Sequence, residues 1–451
     1  MCLGGFFCTF YLPCIRSNTT QKYSVLKIEQ LHQHFLSSSG VCTDTRKITK
    51  GCLFFALKGD NFDGNKFAQE ALDMGASKVI VDTIKYHKNT GETILTANTL
   101  QLLQKLATYH RKQLNIPVIA LTGSNGKTTT KELIQVVLAQ KFNAVATKGN
   151  LNNHIGVPLT LLSMKPNTEI AIVEMGANHL KEIALLSKLV HPDYGYITNF
   201  GKAHLEGFGS MEGVIQGKSE LYKHIKQHDK KVFVNANDPK QLELTESLNG
   251  ITFGNEEQQY YVQLKDASDT LLLQFDGLEI KSQLIGIYNF HNIAAAIAIG
   301  SYFGVSSDKI KTAIEAYVPE MNRSQVVNKN GHRIILDAYN ANPTSMMAAL
   351  ENFKQSEGAN KVMILGDMFE LGPKAEKEHQ HIASYVENNS FGKVLLVGSN
   401  FNKTKTTAPH ILCLETYDDL KIYIEQQPLS NTFMLIKGSR GMALERTLDL
   451  L

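Results

Sequence analysis

Apolar residues gather in short unbroken runs separated by longer mixed stretches. Val118–Thr122 (VIALT), Ile170–Met175 (IAIVEM), Tyr194–Asn199 (YGYITN) and Lys231–Asn235 (KVFVN) are such runs. Runs that do not alternate with polar residues predict strands buried on both faces. Helical stretches separate the first three, Lys127–Lys141 among them, so parallel βαβ units are expected. A small-residue helix over His291–Tyr302, with a sequel to about Val318, closes this region. Beyond Pro319 the pattern restarts with Arg333–Asp337, Lys361–Leu365, Lys393–Val397 and Thr432–Ile436 as strands. Helices over Ser345–Gln355 and Lys374–Asn388 lie between them, which predicts a second, smaller doubly wound sheet.

Upstream, residues 23–114 mix short strands and helices. Gly51–Leu57 and Lys78–Val81 read as strands, Lys58–Gly64 as a turn, and Phe67–Met74 and Thr99–Leu114 as helices. The expectation is an α/β protein of three domains, 23–114, 115–318 and 319–451, with a cleft between the last two. Residues 1–22 stand apart. Leu3–Ile15 is apolar like a signal segment, but no basic residue precedes it, Pro13 and Arg16 follow, and no small-x-small cleavage site is evident. A dispensable extension is the expectation.

Composition narrows the classes. The 451 residues are 43% hydrophobic and 20% charged, with 46 Lys and Arg against 43 Asp and Glu, net +3. Disordered and low-complexity classes are excluded, and the charge balance argues against a bulk nucleic-acid or membrane binder. No apolar run reaches the roughly 18–20 residues a spanning helix needs. Six cysteines (Cys2, Cys8, Cys14, Cys42, Cys52 and Cys413) form no Cys-x-x-Cys pair. That usage fits a reducing compartment, the cytoplasm.

The decisive stretch is Leu121-Thr-Gly-Ser-Asn-Gly-Lys-Thr-Thr-Thr130. A buried strand ends, Gly123 and Gly126 permit a tight loop over Ser124 and Asn125, and a helix begins at Lys127. Backbone N–H groups at such a helix start cradle phosphate oxygens, helped by the helix dipole. Lys127 would reach the outer phosphates of ATP, Thr128 would ligate Mg²⁺, and Thr129 continues the cradle. The spacing departs from the common G-x-x-x-x-G-K-[ST] loop, since Leu121 stands where its first Gly would fall. Magnesium needs further hard oxygen ligands. Glu174 ends the strand Ile170–Val173 and is the candidate, against a solvated strand-end carboxylate. His204 follows the next strand by five residues; spacing alone leaves it a structural histidine or a ligand.

Several motifs, in chain order, carry a family resemblance: Ala120–Thr130, Lys148-Gly-Asn-Leu-Asn-Asn153, Glu174-Met-Gly-Ala177, Thr198–Gly207, Asn289-Phe-His-Asn292 and Met321-Asn-Arg323. They resemble the Mur ligases of peptidoglycan synthesis. Asp337-Ala-Tyr-Asn-Ala-Asn-Pro343, Leu365-Gly-Asp-Met-Phe-Glu-Leu-Gly372 and Lys437-Gly-Ser-Arg440 resemble its D-alanyl-D-alanine-adding branch. Thr43-Asp-Thr-Arg46 and Ala56-Leu-Lys-Gly-Asp-Asn-Phe-Asp-Gly64 match that family's uridine-nucleotide-binding domain. The resemblance runs from about residue 23 to the end.

It implies a uridine-nucleotide-binding first domain, a central ATPase-like domain and a Rossmann-like last domain. It also implies ATP-dependent joining of D-alanyl-D-alanine to UDP-N-acetylmuramoyl-tripeptide through an acyl phosphate, by a monomer. Carried over by position, Thr128, Glu174 and His204 match the magnesium and phosphate site, with Lys127 and His204 in catalytic roles. Asn292 matches an adenine contact, and Arg323 and Asp337 match residues that close over the nucleotide. Lys218 matches a lysine carried as a carbamate, a further catalytic and magnesium-ligating group. Thr45, Arg46, Lys58 and Asp63 fall to the uridine nucleotide. Asn152, Asn153, Tyr339, Asn340, Lys437 and Arg440 fall to substrate, although loop asparagines more often form Asx turns.

The rivals are another Mur-type ligase, a folylpolyglutamate-type ligase, or an ATP-binding switch without synthesis. The Asp-Asn-Pro-Arg signature of the diaminopimelate-adding enzymes is absent. A folate enzyme would not need the Asp-Thr-Arg front segment.

Overall fold

A computed structural model describes residues 27–320 and 322–451. The expected extension, residues 1–22, lies outside the described residues, as does Met321. The chain divides into two units after residue 102.

In the first unit, α1 (Ile28–Leu36) precedes a parallel sheet of β1 (Val41–Cys42), β2 (Leu53–Phe55), β5 (Lys78–Val81) and β6 (Thr93–Leu95), in that order. Between β2 and β5 come the hairpin β3 (Lys58–Gly59) and β4 (Phe62–Asp63), then α2 (Ala68–Asp73). Phe54, Ala56, Ala71, Val79 and Val81 form its core. Helix α3 (Thr99–Gln113) leads out of it.

The second unit holds two larger sheets. The first contains β7 (Val118–Thr122), β8 (Ala144–Ala146), β9 (Ile170–Glu174), β10 (Tyr194–Ile197), β11 (Lys231–Asn235), β12 (Asn249–Gly254) and β13 (Tyr260–Tyr261). Its order is β13-β12-β11-β10-β7-β9-β8, all parallel. All five residues of β7 and of β9 are buried, as the unbroken apolar runs require. The chain leaves β7 toward β9 and later returns on its other side to β10, so the loop after β7 sits at the reversal of strand order. Ligands bind at such points, beyond the carboxyl ends of the strands.

The covering helices are α4 (Lys127–Leu138), α5 (Gly156–Leu162), α6 (Glu182–Val190), α7 (Leu205–Phe208), α8 (Met211–Lys218), α9 (Glu220–Gln227) and α10 (Pro239–Thr245). A three-stranded antiparallel sheet follows, β14 (Gln263–Asp266), β15 (Leu272–Phe275) and β16 (Leu278–Lys281). Then come α11 (Ile287–Tyr302) and α12 (Ser307–Ala316). Residues 292–300 of α11 are buried on all sides. Gly300 lets it close on α4, since a Cβ there would lie 2.2 Å from Val137 Cγ1. Ile293, Ile297, Leu133 and Val137 share one core, where truncating a leucine to alanine costs about 2–5 kcal/mol.

The last sheet is β17 (Gln325–Lys329), β18 (His332–Asp337), β19 (Lys361–Gly366), β20 (Lys393–Val397), β21 (Ile411–Leu414) and β22 (Phe433–Lys437), in order β17-β18-β22-β19-β20-β21. Only β17 runs antiparallel. Helices α13 (Pro343–Gln355), α14 (Ala375–Glu387) and α15 (Tyr417–Gln426) connect its strands. Among the described residues, no helix is long and apolar enough to cross a membrane.

Candidate active site

β7, β9 and β10 end level, with Leu121 paired to Glu174 and Thr122 to Ile197. The loop beyond β7 needs both glycines. Gly123 has φ +148°, and a Cβ there would meet Thr198 Oγ1 at 1.9 Å; Gly126 has φ +77°, and its Cβ would meet Asn292 Oδ1 at 2.6 Å. Neighbours hold the loop. Ser124 N donates to Asn199 O (3.0 Å), Ser124 Oγ to Gly201 O (2.9 Å) and Asn125 N to Asn199 Oδ1 (3.1 Å). Thr198 Oγ1 and Asn199 Nδ2 both donate to Asn125 O. The first N–H groups of α4, from Lys127 to Thr129, have no partner within the helix, and these residues line the cleft. Lys127 folds back, donating to Gly123 O (2.8 Å) and Ser124 O (3.3 Å). Burial, and then the Arg323 charge, lower its pKa, with Glu174 and Glu370 opposing. The side chain is partly buried. A phosphate would offer that cation a better partner than two carbonyls.

Behind the loop, Thr128 Oγ1 donates to Glu174 Oε2 (2.9 Å) and Asn152 Nδ2 to Glu174 Oε1 (2.7 Å). Thr147 Oγ1 accepts from Glu174 N. Glu174 is 1% exposed, so a buried carboxylate and a hydroxyl are held side by side. These are hard oxygen donors of the kind magnesium takes beside nucleotide phosphates. His204 lines the same cleft at φ +52°. Its Nδ1 lies 2.5 Å from Glu370 Oε2, out of line for a good hydrogen bond. The imidazole is the chief influence holding the Glu370 carboxyl below its ordinary range. Lys218 departs from the expected arrangement. It is fully buried, donates to Ala177 O (3.0 Å), lies over the Phe208 ring and does not line the cleft. Burial, then the Lys127 charge, push its amine well below the usual lysine range. Among the described residues, no three His, Cys, Asp or Glu side chains converge as a metal cage.

Three asparagines have structural duties. Asn153 Oδ1 accepts from Ile155 N and Gly156 N, the Asx-turn alternative, while Asn152 orients Glu174. Asn292 accepts from Thr130 Oγ1 (3.0 Å) and donates to Asn289 Oδ1 (2.9 Å), so it buttresses Gly126 from beneath.

The opposite wall comes from the last sheet. Asp337 and Lys437 are register partners at the ends of β18 and β22, and Lys437 Nζ lies 2.5 Å from Asp337 Oδ2. Asp337 Oδ1 also accepts from Ser324 N. The Arg323 guanidinium stacks 3.5 Å over the Tyr339 ring, and its buried Nε has no partner among the described residues. Asn340 Oδ1 accepts from Ala341 N. Arg323, Asp337, Tyr339, Asn340 and Lys437 line the cleft, of about 510 Å³, together with Ser124–Thr129 and Glu174. Arg440 is a correction: its side chain is 60% exposed, pairs with Glu445 and does not line the cleft. The short 3-10 turn after β22 carries it outward.

In the first unit, Arg46 pairs doubly with Asp44 (2.8 and 2.9 Å) across the short turn Thr45–Lys47. Lys58 Nζ pairs with Asp82 (2.8 Å), and Asp63 caps the next turn through Asn65 N.

Residues beyond the expected set tie the two walls. Asn342 Nδ2 donates to Asn125 Oδ1 (2.6 Å), Lys202 N to Thr344 Oγ1 (2.9 Å), and Lys202 Nζ to Glu378 Oε1 (2.8 Å). Asn342 also caps α13 through Ser345 N. Its position before Pro343 signals that cap in the sequence; the bond to the loop has no local signal.

Comparisons with known proteins agree with this geometry. Residues 37–119 match the model of the Mur ligase family catalytic domain, 121–300 the Mur ligase middle domain, and 322–440 the Mur ligase glutamate ligase domain. The chain is 36% identical over 425 residues to the UDP-N-acetylmuramoyl-tripeptide–D-alanyl-D-alanine ligase of Bacillus subtilis (strain 168), covering 90% of this chain and 91% of that one. It is similar to a crystal structure of MurF from Acinetobacter baumannii (32% identity, TM-score 0.81, 94% and 98% covered). It is likewise similar to MurF ligase from Thermotoga maritima in complex with ADP (26% identity, TM-score 0.81, 92% and 97% covered). With the phosphate loop, the buried acid and the facing wall all in one cleft, the chain belongs to the Mur ligase family.

Proposed function

We propose that the protein joins D-alanyl-D-alanine to UDP-N-acetylmuramoyl-tripeptide with cleavage of ATP to ADP and phosphate, in peptidoglycan precursor synthesis in the cytoplasm. The observation that carries the reading is the shared cleft: Lys127, Thr128 and Glu174 on one wall face Arg323, Asp337 and Lys437 on the other.

A carboxylate is a poor electrophile because its leaving group would be oxide. Phosphoryl transfer from ATP gives an acyl phosphate, the amine of the dipeptide attacks, and phosphate leaves. The chain's part is to bring anions together and hold them in line. The loop N–H groups and Lys127 take the triphosphate, and Arg323, with its unpaired Nε, offsets charge on the transferred group. Thr128 and Glu174, with His204, would hold Mg²⁺, which supplies charge neutralisation at the phosphates. Burial and the Lys127 charge lower the Lys218 pKa and so favour the free amine that adds CO₂; as a carbamate the residue would carry a negative charge facing that of Lys127.

We assign residues 23–114, with Thr45, Arg46, Lys58 and Asp63, to the uridine nucleotide; 115–318 to ATP; and 319–451 to closure over it. Tyr339, Asn340 and Lys437 serve substrate. The reading is tested by incubating the protein with Mg²⁺–ATP, UDP-N-acetylmuramoyl-tripeptide and D-alanyl-D-alanine. Mass spectrometry should detect the pentapeptide, with ATP turnover dependent on both substrates. Turnover independent of both, with no new amide, would indicate a nucleotide-driven switch instead.

A further inference from the structure

At the opposite edge of the seven-stranded sheet, where its strands begin, lies a second cavity of about 230 Å³ that shares no residue with the catalytic cleft. Three helix ends wall it. Arg111 and Lys112 lie in the last turn of α3, His191 caps α6, and His224 lies in the last turn of α9 with His228 just beyond. Lys230 enters from the start of β11. The His224 and His228 rings stack with centroids 4.1 Å apart, and His191 stands edge-on at 6.3 and 6.4 Å. Asp193 is the one carboxylate lining the cavity, and it is already engaged. Its Oδ2 accepts from Arg111 Nη2 (2.8 Å) and Val118 N (3.1 Å), and its Oδ1 from Lys230 Nζ (2.8 Å).

Complementing helix C-termini explains part of this cluster. Arg111 donates to Val190 O, His191 O and Leu114 O, and His228 Nδ1 lies 2.8 Å from His224 O. It does not explain three imidazoles and two lysines around an open cavity whose lone acid is spent. We propose that this cavity is a second ligand site, which takes a phosphate-class oxyanion together with protons on its histidines. A transition metal is disfavoured: near-parallel stacked rings do not aim their nitrogens at one point, and the lysines repel a cation.

The groups around the rings set the sign of the pH dependence. Burial, followed by the charges of His228, His191 and Lys188, pushes His224 down to about 4. His191 is lowered by burial, then by Lys112, His228 and Arg111. Asp193 is the opposing charge, and Lys230 the remaining cation facing the cavity. In the empty protein the unfolded chain therefore binds protons first, and stability falls as pH drops below roughly 6.5. An oxyanion among the rings favours their charged forms, so its stabilising effect must grow as pH falls.

Sulfate is the probe, because it stays doubly charged from pH 5 to 8. The full chain carrying Lys127→Ala, which removes the phosphate loop's cation, is unfolded thermally against sulfate at matched ionic strength. The site predicts a saturable rise in Tm at pH 5.5 that is lost at pH 8, and lost in the His224→Gln, His228→Gln double variant. Exposed Lys112→Ser should weaken the apparent affinity about tenfold, as one charge-assisted contact implies. If the double variant does not fold, Lys112→Ser and the ring NMR signals decide. The His224 and His228 signals should move with sulfate, and the His224 signal should titrate at higher pH. A non-saturating, pH-independent effect equal in every variant would overturn the proposal. So would saturable stabilisation by Zn²⁺ with none by sulfate.

Discussion

The two walls of the catalytic cleft are built differently. The central wall is fixed by burial: Thr128, Glu174, Asn152 and Thr147 form one bonded set beneath a loop that both glycines and Asn292 hold in shape. The facing wall pairs Lys437 with Asp337 and stacks Arg323 on Tyr339, leaving Arg323 Nε without a hydrogen-bond partner among the described residues. A few polar contacts, Asn342–Asn125, Thr344–Lys202 and Glu378–Lys202, join it to the first. One wall is thus preorganised for charge, and the other can separate at modest cost. Such a division suits an enzyme that must admit anionic substrates and then exclude water around them.

Substitutions on the two walls should separate accordingly. Lys127→Ala is expected to cut pentapeptide formation by about a thousandfold or more with the thermal transition unchanged, as loss of a phosphate-clamping charge implies. Gly126→Ala should lose activity on a similar scale by another route, because the left-handed conformation costs about 1–2 kcal/mol and its methyl displaces Asn292. Circular dichroism would find the fold retained in both. Glu174→Gln should lower kcat by about a hundredfold and shift the magnesium requirement upward in steady-state titrations.

On the facing wall the effects should be smaller. Asn342→Ala should cost about tenfold in kcat/KM, as loss of one buried hydrogen bond implies. Small-angle scattering with nucleotide and substrate should then detect a larger fraction of open molecules. Arg440→Ser, an exposed pair with Glu445, should change turnover less than about twofold. An Asn342 variant as inactive as Lys127→Ala would break the distinction between the walls.

What the sequence disclosed follows the same division. Val118–Thr122 and Ile170–Glu174 were legible because strands buried on both faces leave unbroken apolar runs. The Gly-Lys-Thr turn declared its chemistry because only a few residue types can form it. Short edge strands such as Ala144–Ala146 and Ile411–Leu414 carry too few residues for a pattern, and β14–β16, four residues each, are too short as well. Contacts such as Asn125–Asn342 join residues 217 apart and leave no local trace. Lys218 and Arg440 matched family motifs by position, yet burial against the Phe208 ring and an outward turn give them surroundings that position alone does not reveal.

The claim on which the rest depends is that the cleft passes a phosphoryl group to a carboxylate. Tripeptide substrate labelled with ¹⁸O in its terminal carboxyl group tests it directly. One labelled oxygen should appear in each phosphate released with the pentapeptide. Phosphate free of label, alongside normal pentapeptide formation, would contradict the account.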